Sequence, residues 1–134
     1  MEQQVGFDTL LVCGVPVLRW RGAASERVLR ESPALLRALA RHGYREVVLD
    51  LQQVVASAPQ EWRHLLWALE KTLPPALHAE VVLPAERLVD RSLRRMRVAP
   101  SLALALSHLT RLPLASLQPV RSLRISWQQF RDEE

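Results

Sequence analysis

The chain has 134 residues, 49% of them hydrophobic and 24% charged, with only 4 glycines; that is the makeup of one folded core, not of a disordered segment. Polar and charged residues break every apolar stretch short of the roughly 18 residues a spanning helix needs, and Met1-Glu2-Gln3-Gln4 lacks the basic end and apolar run of a secretory signal. A soluble, cytoplasmic protein without membrane insertion is expected, and the single cysteine, Cys13, excludes an internal disulfide. Lys plus Arg is 18 against 14 acidic residues, a net charge of +4, and arginine supplies 17 of those 18 cations. So strong an arginine bias fits a GC-rich genome as well as phosphate or carboxylate recognition.

Residues 8–13 and 15–20 are short apolar runs either side of Gly14, the pattern of two strands joined by a tight turn. Pro16 cannot donate to a ladder, which predicts an edge position early in the second strand. Cys13 reads as a small buried hydrophobe, since no base stands near it to activate the thiol. After Gly22 the pattern turns helical. Ser25 is placed to cap a first turn; Ser32-Pro33 reads as a cap followed by proline at the first helical position, opening a helix over residues 34–41 that Gly43 stops.

Glu46-Val47-Val48-Leu49-Asp50-Leu51 is the clearest strand, its apolar run suited to burial on both faces. A second helix is expected next. Ser57 stands three residues before Gln60 in capping-box spacing, Pro59 lies in the first turn, and Trp62, Leu65, Leu66, Leu69 and Leu73 recur at helical intervals until Pro74-Pro75. Residues 77–83 read as a strand closed by Pro84. Residues 85–96 read as a helix with Leu88, Val89, Leu93 and Met96 inward and Arg87, Arg91, Arg94 and Arg95 outward. Val98-Ala99-Pro100 is a short extended piece, and Ser101 caps a last helix over 102–112, where the Leu-Ala alternation would also fit a strand. Beyond it, the alternation of Leu123, Ile125 and Trp127 can add a strand or dock on the body. This order implies an α/β fold: a mixed, mostly parallel sheet of four to five strands with about four helices packed on it, because parallel neighbours need long crossovers.

The order of elements, with several spaced residues, resembles the STAS domain family, named for sulfate transporters and anti-sigma factor antagonists. The residues that carry the resemblance are Gly22 after the second strand, a helix ended by Gly43, and Val47-Val48-Leu49-Asp50-Leu51-Gln52-Gln53-Val54 in place of a hydrophobic run ending Asp-Leu-Ser-x-Val. Ala99-Pro100-Ser101-Leu102-Ala103-Leu104-Ala105-Leu106 is similar to the family's closing segment, where a serine or aspartate caps a final helix. The resemblance covers a single STAS-like domain over residues 5–112 and leaves 113–134 as a C-terminal extension. It implies a non-catalytic, bacterial-type protein-protein interaction module. The partner would be an anti-sigma-type kinase, a transporter component or a sensory complex.

In regulatory members the second helix opens with Asp-Ser-Ser-Gly, and the second serine is phosphorylated. Here those places fall on Ala58, Pro59, Gln60 and Glu61, so no hydroxyl stands at the acceptor position. Ser57, one place earlier, is either a displaced phosphoacceptor or, from its spacing to Gln60, a helix cap. The docking surface expected around this helix start comprises Ser25, Gln53, Ser57, Gln60, Glu61, Arg63 and His64.

Other chemistry-bearing residues are scattered. His42, His64, His78 and His108 lie on four different elements with no partner carboxylate in view, and Asp8, Asp50 and Asp90 read as unpaired. Asp50 ends the strongest strand, where open α/β sheets bind ligands; the family resemblance instead gives it the organisation of the loop before the second helix. No phosphate loop, nucleophile elbow or HExxH motif is present, so no enzyme, cofactor or metal site is expected. Nucleic-acid binding along Arg87, Arg91, Arg94 and Arg95 is the alternative, opposed by Glu86 and Asp90 on the same segment and by few aromatics for base stacking. Trp67 falls outside the apolar stripe of its helix. It either packs on a neighbour or anchors a partner, and a homo-oligomer or larger assembly burying Trp67 and the tail is the third possibility.

Overall fold

The computed structural model describes residues 6–23, 25–55, 59–84, 94–111 and 122–124. Chain order is β1 (Gly6–Val12), β2 (Val15–Gly22), α1 (Ser25–Arg41), β3 (Glu46–Val54), α2 (Pro59–Thr72), β4 (His78–Val82), β5 (Met96–Ala99), α3 (Leu102–Thr110) and β6 (Ser122–Arg124). The strands form one sheet in the order β5-β4-β3-β2-β1-β6. β2, β3, β4 and β5 run parallel to one another, while β1 is antiparallel to both β2 and β6. The α/β class is as expected. The sheet has six strands, one more than expected, because three residues of the C-terminal segment pair with β1.

Val12 and Val15 face each other across the two-residue loop Cys13-Gly14. Cys13 and Gly14 have φ of 53° and 80°, which is a type I′ turn, the form whose twist matches that of the flanking strands. Cys13 is therefore not the buried hydrophobe expected of it: it is exposed at the tip of the hairpin. Pro16 is not on an edge strand either, since β2 lies between β1 and β3. Residues flanking a two-residue loop exchange backbone bonds, so the next pair, Leu11 and Pro16, is a non-bonded one. The proline nitrogen thus turns toward β3, whose pairing with β2 starts only at Val17.

The expected break at Ser32-Pro33 is absent, and α1 runs continuously with Pro33 inside it. Proline removes the bond to the carbonyl of Leu29. Burial of Val28, Leu35, Leu36, Ala38 and Leu39 against the sheet outweighs that loss. Ser32 is 1% exposed and its Oγ has no hydrogen-bond partner, a local cost that the buried leucines absorb. The helix ends as its glycine predicts. Tyr44 N–H donates to Leu39 O at 3.1 Å and Gly43 N–H to Ala40 O at 3.1 Å, with Gly43 at φ 87°, which is a Schellman motif.

Strand alternation divides the interior into two cores. Val47, Leu49 and Leu51 of β3 join Leu18 and Trp20 of β2 under α1 and α2, while Val48 joins Val17 and Val82 under Ala105 and Leu106 of α3. The helices α1 and α2 share a face because successive right-handed crossovers moving one way across a parallel sheet lie on the same side. Ser101 caps α3 as expected, accepting from Leu104 N–H at 3.1 Å, and Arg111 ends it in the left-handed conformation. Three helices occur among the described residues. The helix expected over 85–96 falls on residues 85–93, outside them, and its expected end is not helical, since Met96 opens β5 and faces the α2 core.

Asparagine tolerates positive φ at the first position of a type I′ turn far better than cysteine. Cys13→Asn is expected to stabilise the fold by about 1 kcal/mol, read as a higher urea midpoint at unchanged slope.

Candidate docking surface

Pro59 begins α2, where its missing N–H is no loss. Trp62, Leu65, Leu66 and Leu69 face the sheet, which leaves Gln60, Arg63, His64, Trp67 and Lys71 along the outer ridge, all exposed. Glu61 sits half-buried on the flank of the first turn. The strands beneath end at the same place: Gln53 is exposed opposite Arg21, and Val55 N–H donates to Gly22 O at 2.8 Å, tying the carboxyl ends of β2 and β3 together. Ser25 begins α1 directly after that end. The structure thus brings Ser25, Gln53, Gln60, Glu61, Arg63 and His64 to one end of the sheet and the adjoining ridge. Ser57 lies outside the described residues, and the capping and acceptor readings of it go with it.

Trp67 is 55% exposed, which decides between packing and exposure in favour of exposure. Lys71, one turn on, lies 3.7 Å from the ring centroid, and His64, one turn before, is 6.5 Å away, centroid to centroid. Sequence reading did not single out Lys71. The i,i+4 spacing from Trp67 was the available signal.

Two of the three carboxylates read as unpaired, Asp50 and Asp8, are paired. Asp50 is 2% exposed, and its Oδ2 accepts from Arg19 Nε at 2.9 Å across the β2–β3 register. Between Arg19 and Arg21 that register slips by one residue, leaving an extra residue in β3. Asp50 Oδ1 takes the Gln52 backbone N–H at 3.1 Å, and Gln52 Nε2 also donates to it at 3.1 Å. Asp8 pairs with Arg21 at 3.2 Å. Asp90 lies outside the described residues. Glu80, 3% exposed on β4, meets His108 Nδ1 of α3 at 3.0 Å, so His108 does have a carboxylate partner. His42, His64 and His78 are exposed. Asp50 and Glu80 are thus engaged in holding strands and helix together, and no group of three or more His, Cys, Asp or Glu among the described residues is placed to hold a metal ion.

The expected arginine stripe is not formed at its far end. Arg94 and Arg95 lie in a bend, not on a helix. Glu70 Oε2 accepts the backbone N–H groups of Arg94, Arg95 and Met96 at 2.7, 2.7 and 3.2 Å. Arg95 donates in turn to the carbonyls of Leu73 and Pro74 at 2.6 and 3.1 Å, closing the C-terminal end of α2. Its guanidinium is therefore a helix cap and not a free phosphate contact. Arg87 and Arg91 lie outside the described residues. No described helix is long and apolar enough to cross a membrane.

No family model matches the chain, and neither does any curated protein. Geometry and residue chemistry therefore carry the functional reading.

Removing Arg19 would strand a buried charge, so Arg19→Met is expected to cost about 3 kcal/mol. The double change Arg19→Met with Asp50→Asn should recover part of it, measured as a positive coupling in a denaturation cycle. Glu70→Ala leaves three backbone donors unanswered, and amide hydrogen exchange at residues 94–96 is expected to accelerate by about tenfold or more, in line with about 1–3 kcal/mol for lost charged acceptors.

Proposed function

We propose that the chain is a non-catalytic, STAS-like protein-protein interaction module of bacterial regulatory type, working in the cytoplasm and docking another protein through the start of α2 and the strand ends beside it. One observation carries this reading. The carboxyl ends of β2 and β3 and the first turns of α2 meet at one end of the sheet, with Gln53, Gln60, Arg63 and His64 all exposed there. The described buried carboxylates, by contrast, have structural partners. The order strand, strand, helix, strand, helix, strand supports the family frame. The family's phosphoacceptor place falls on Gln60, so the docking surface carries no switchable hydroxyl there. Glu61 contributes a fixed negative charge at the helix start, where the dipole favours it.

The partner classes that suit such a module are an anti-sigma-type kinase, a transporter component and a sensory complex. Affinity capture from a bacterial lysate tests the surface, with the wild type compared with a Gln60→Arg, Glu61→Arg variant of unchanged melting temperature. A specific protein is expected on the wild type and absent from the variant; identical sets on both overturn the proposal.

A further inference from the structure

Resting on the reading of the chain as a protein-binding module, we infer that the partner presents an acidic amphipathic surface, and that its anchor point on this chain is Trp67, half a helix beyond the start of α2. A half-exposed indole in the middle of a helix buries little at home and has a large apolar area to offer a partner. The ridge residues one turn on either side of it carry cations. Arg63 lies one turn before it and Lys71 one turn after, with the Lys71 ammonium held over the ring. On the neighbouring helix α1, which packs beside α2, Arg30 and Arg37 are exposed as well. Among the described residues none of these four cations is engaged with a carboxylate.

The nearby acids that could balance them are occupied or remote. Glu61, half-buried in the first turn of α2 two residues before Arg63, has a partner of its own. Glu70 is turned into the backbone donors of residues 94–96, and Glu31 accepts from Arg27 and from the Trp20 indole. Glu26 stands exposed at the first turn of α1. An apolar anchor with one cation a turn before it and another over its ring is complementary to a helix or strand carrying Asp and Glu around an apolar residue. Lys71 already covers one face of the indole, which disfavours the two-sided stacking that a nucleic-acid base would use.

The test is an NMR titration of the isotopically labelled full chain at low salt with a synthetic amphipathic helix of Glu and Leu. A Lys/Leu peptide of equal length and a single-stranded oligonucleotide serve as rival ligands. The expected result is that only the acidic peptide shifts the Trp67 indole N–H and the amides of residues 60–71. Trp67→Ala should weaken binding about tenfold, Arg63→Glu with Lys71→Glu should abolish it, and both variants should keep wild-type dispersion elsewhere.

The inference is overturned if the acidic peptide leaves these resonances unmoved, if Trp67→Ala changes nothing, or if the Lys/Leu peptide binds equally. Tighter binding by the oligonucleotide assigns the face to nucleic acid and overturns it too, as do concentration-dependent shifts without ligand, which assign it to a second copy. If Trp67→Ala still captures the protein that the Gln60→Arg, Glu61→Arg variant loses, the module reading stands and this anchor falls.

Discussion

A carboxylate buried in the middle strand of a sheet has to be answered, and the answer here organises much of the molecule. Asp50 occupies the one polar place in the run from Val47 to Leu51, with apolar cores on both sides of it. Its neutralisation by Arg19 pins β2 against β3 at one register, and its second oxygen picks up the backbone donor that the adjacent bulge frees. A one-residue slip of β3 would present Asp50 to the α1/α2 core and pull it from its guanidinium. The bulge therefore sits where the strand is already secured, and beyond it the chain can turn outward toward α2. The end of the sheet proposed for docking inherits its shape from this buried pair.

Interdependence of the same kind holds at the other side of α2. Glu70 and Arg95 form a reciprocal clasp: the helix's carboxylate takes backbone donors from the approach to β5, and the arginine of that approach donates to the two carbonyls just past the helix's end. The clasp adds to the β4 pairing and to the burial of Met96 and Ala99 that hold this four-residue strand. The outer ridge of α2 is thereby mounted on a helix fixed at its far end, a support that would lower the ordering cost of the binding proposed for Trp67.

What the sequence made legible follows from how local each signal is. Gly43 as a helix stop, Ser101 as a cap and the run through Val47–Leu51 as a two-sided buried strand are each determined within a few residues, and each is found. Pro16 and Pro33 misled for the opposite reason. Their cost depends on which side of the ladder is vacant and on how much apolar area the helix buries, and neither is written beside the proline. The partners of Asp50, Glu80 and His108 lie 28 or 31 residues away in the chain, so their pairing became visible only once strand order was known. Arg95 shows the same limit: its helical spacing to Arg91 suited a stripe, while its partners were carbonyls more than twenty residues upstream. Lys71 beside Trp67, by contrast, was readable from spacing alone.

The pairing of β6 with β1 reaches from Leu10–Val12 to Ser122–Arg124. A contact between segments so far apart in sequence carries one of the largest loop-closure entropies in the fold. Until it forms, the outer side of β1 is a bare ladder of amides and carbonyls beside the hairpin, open to any extended peptide, including another nascent copy. Pairing with β6 covers that ladder over Leu10–Val12, and a chain cut short of residue 122 would leave it bare.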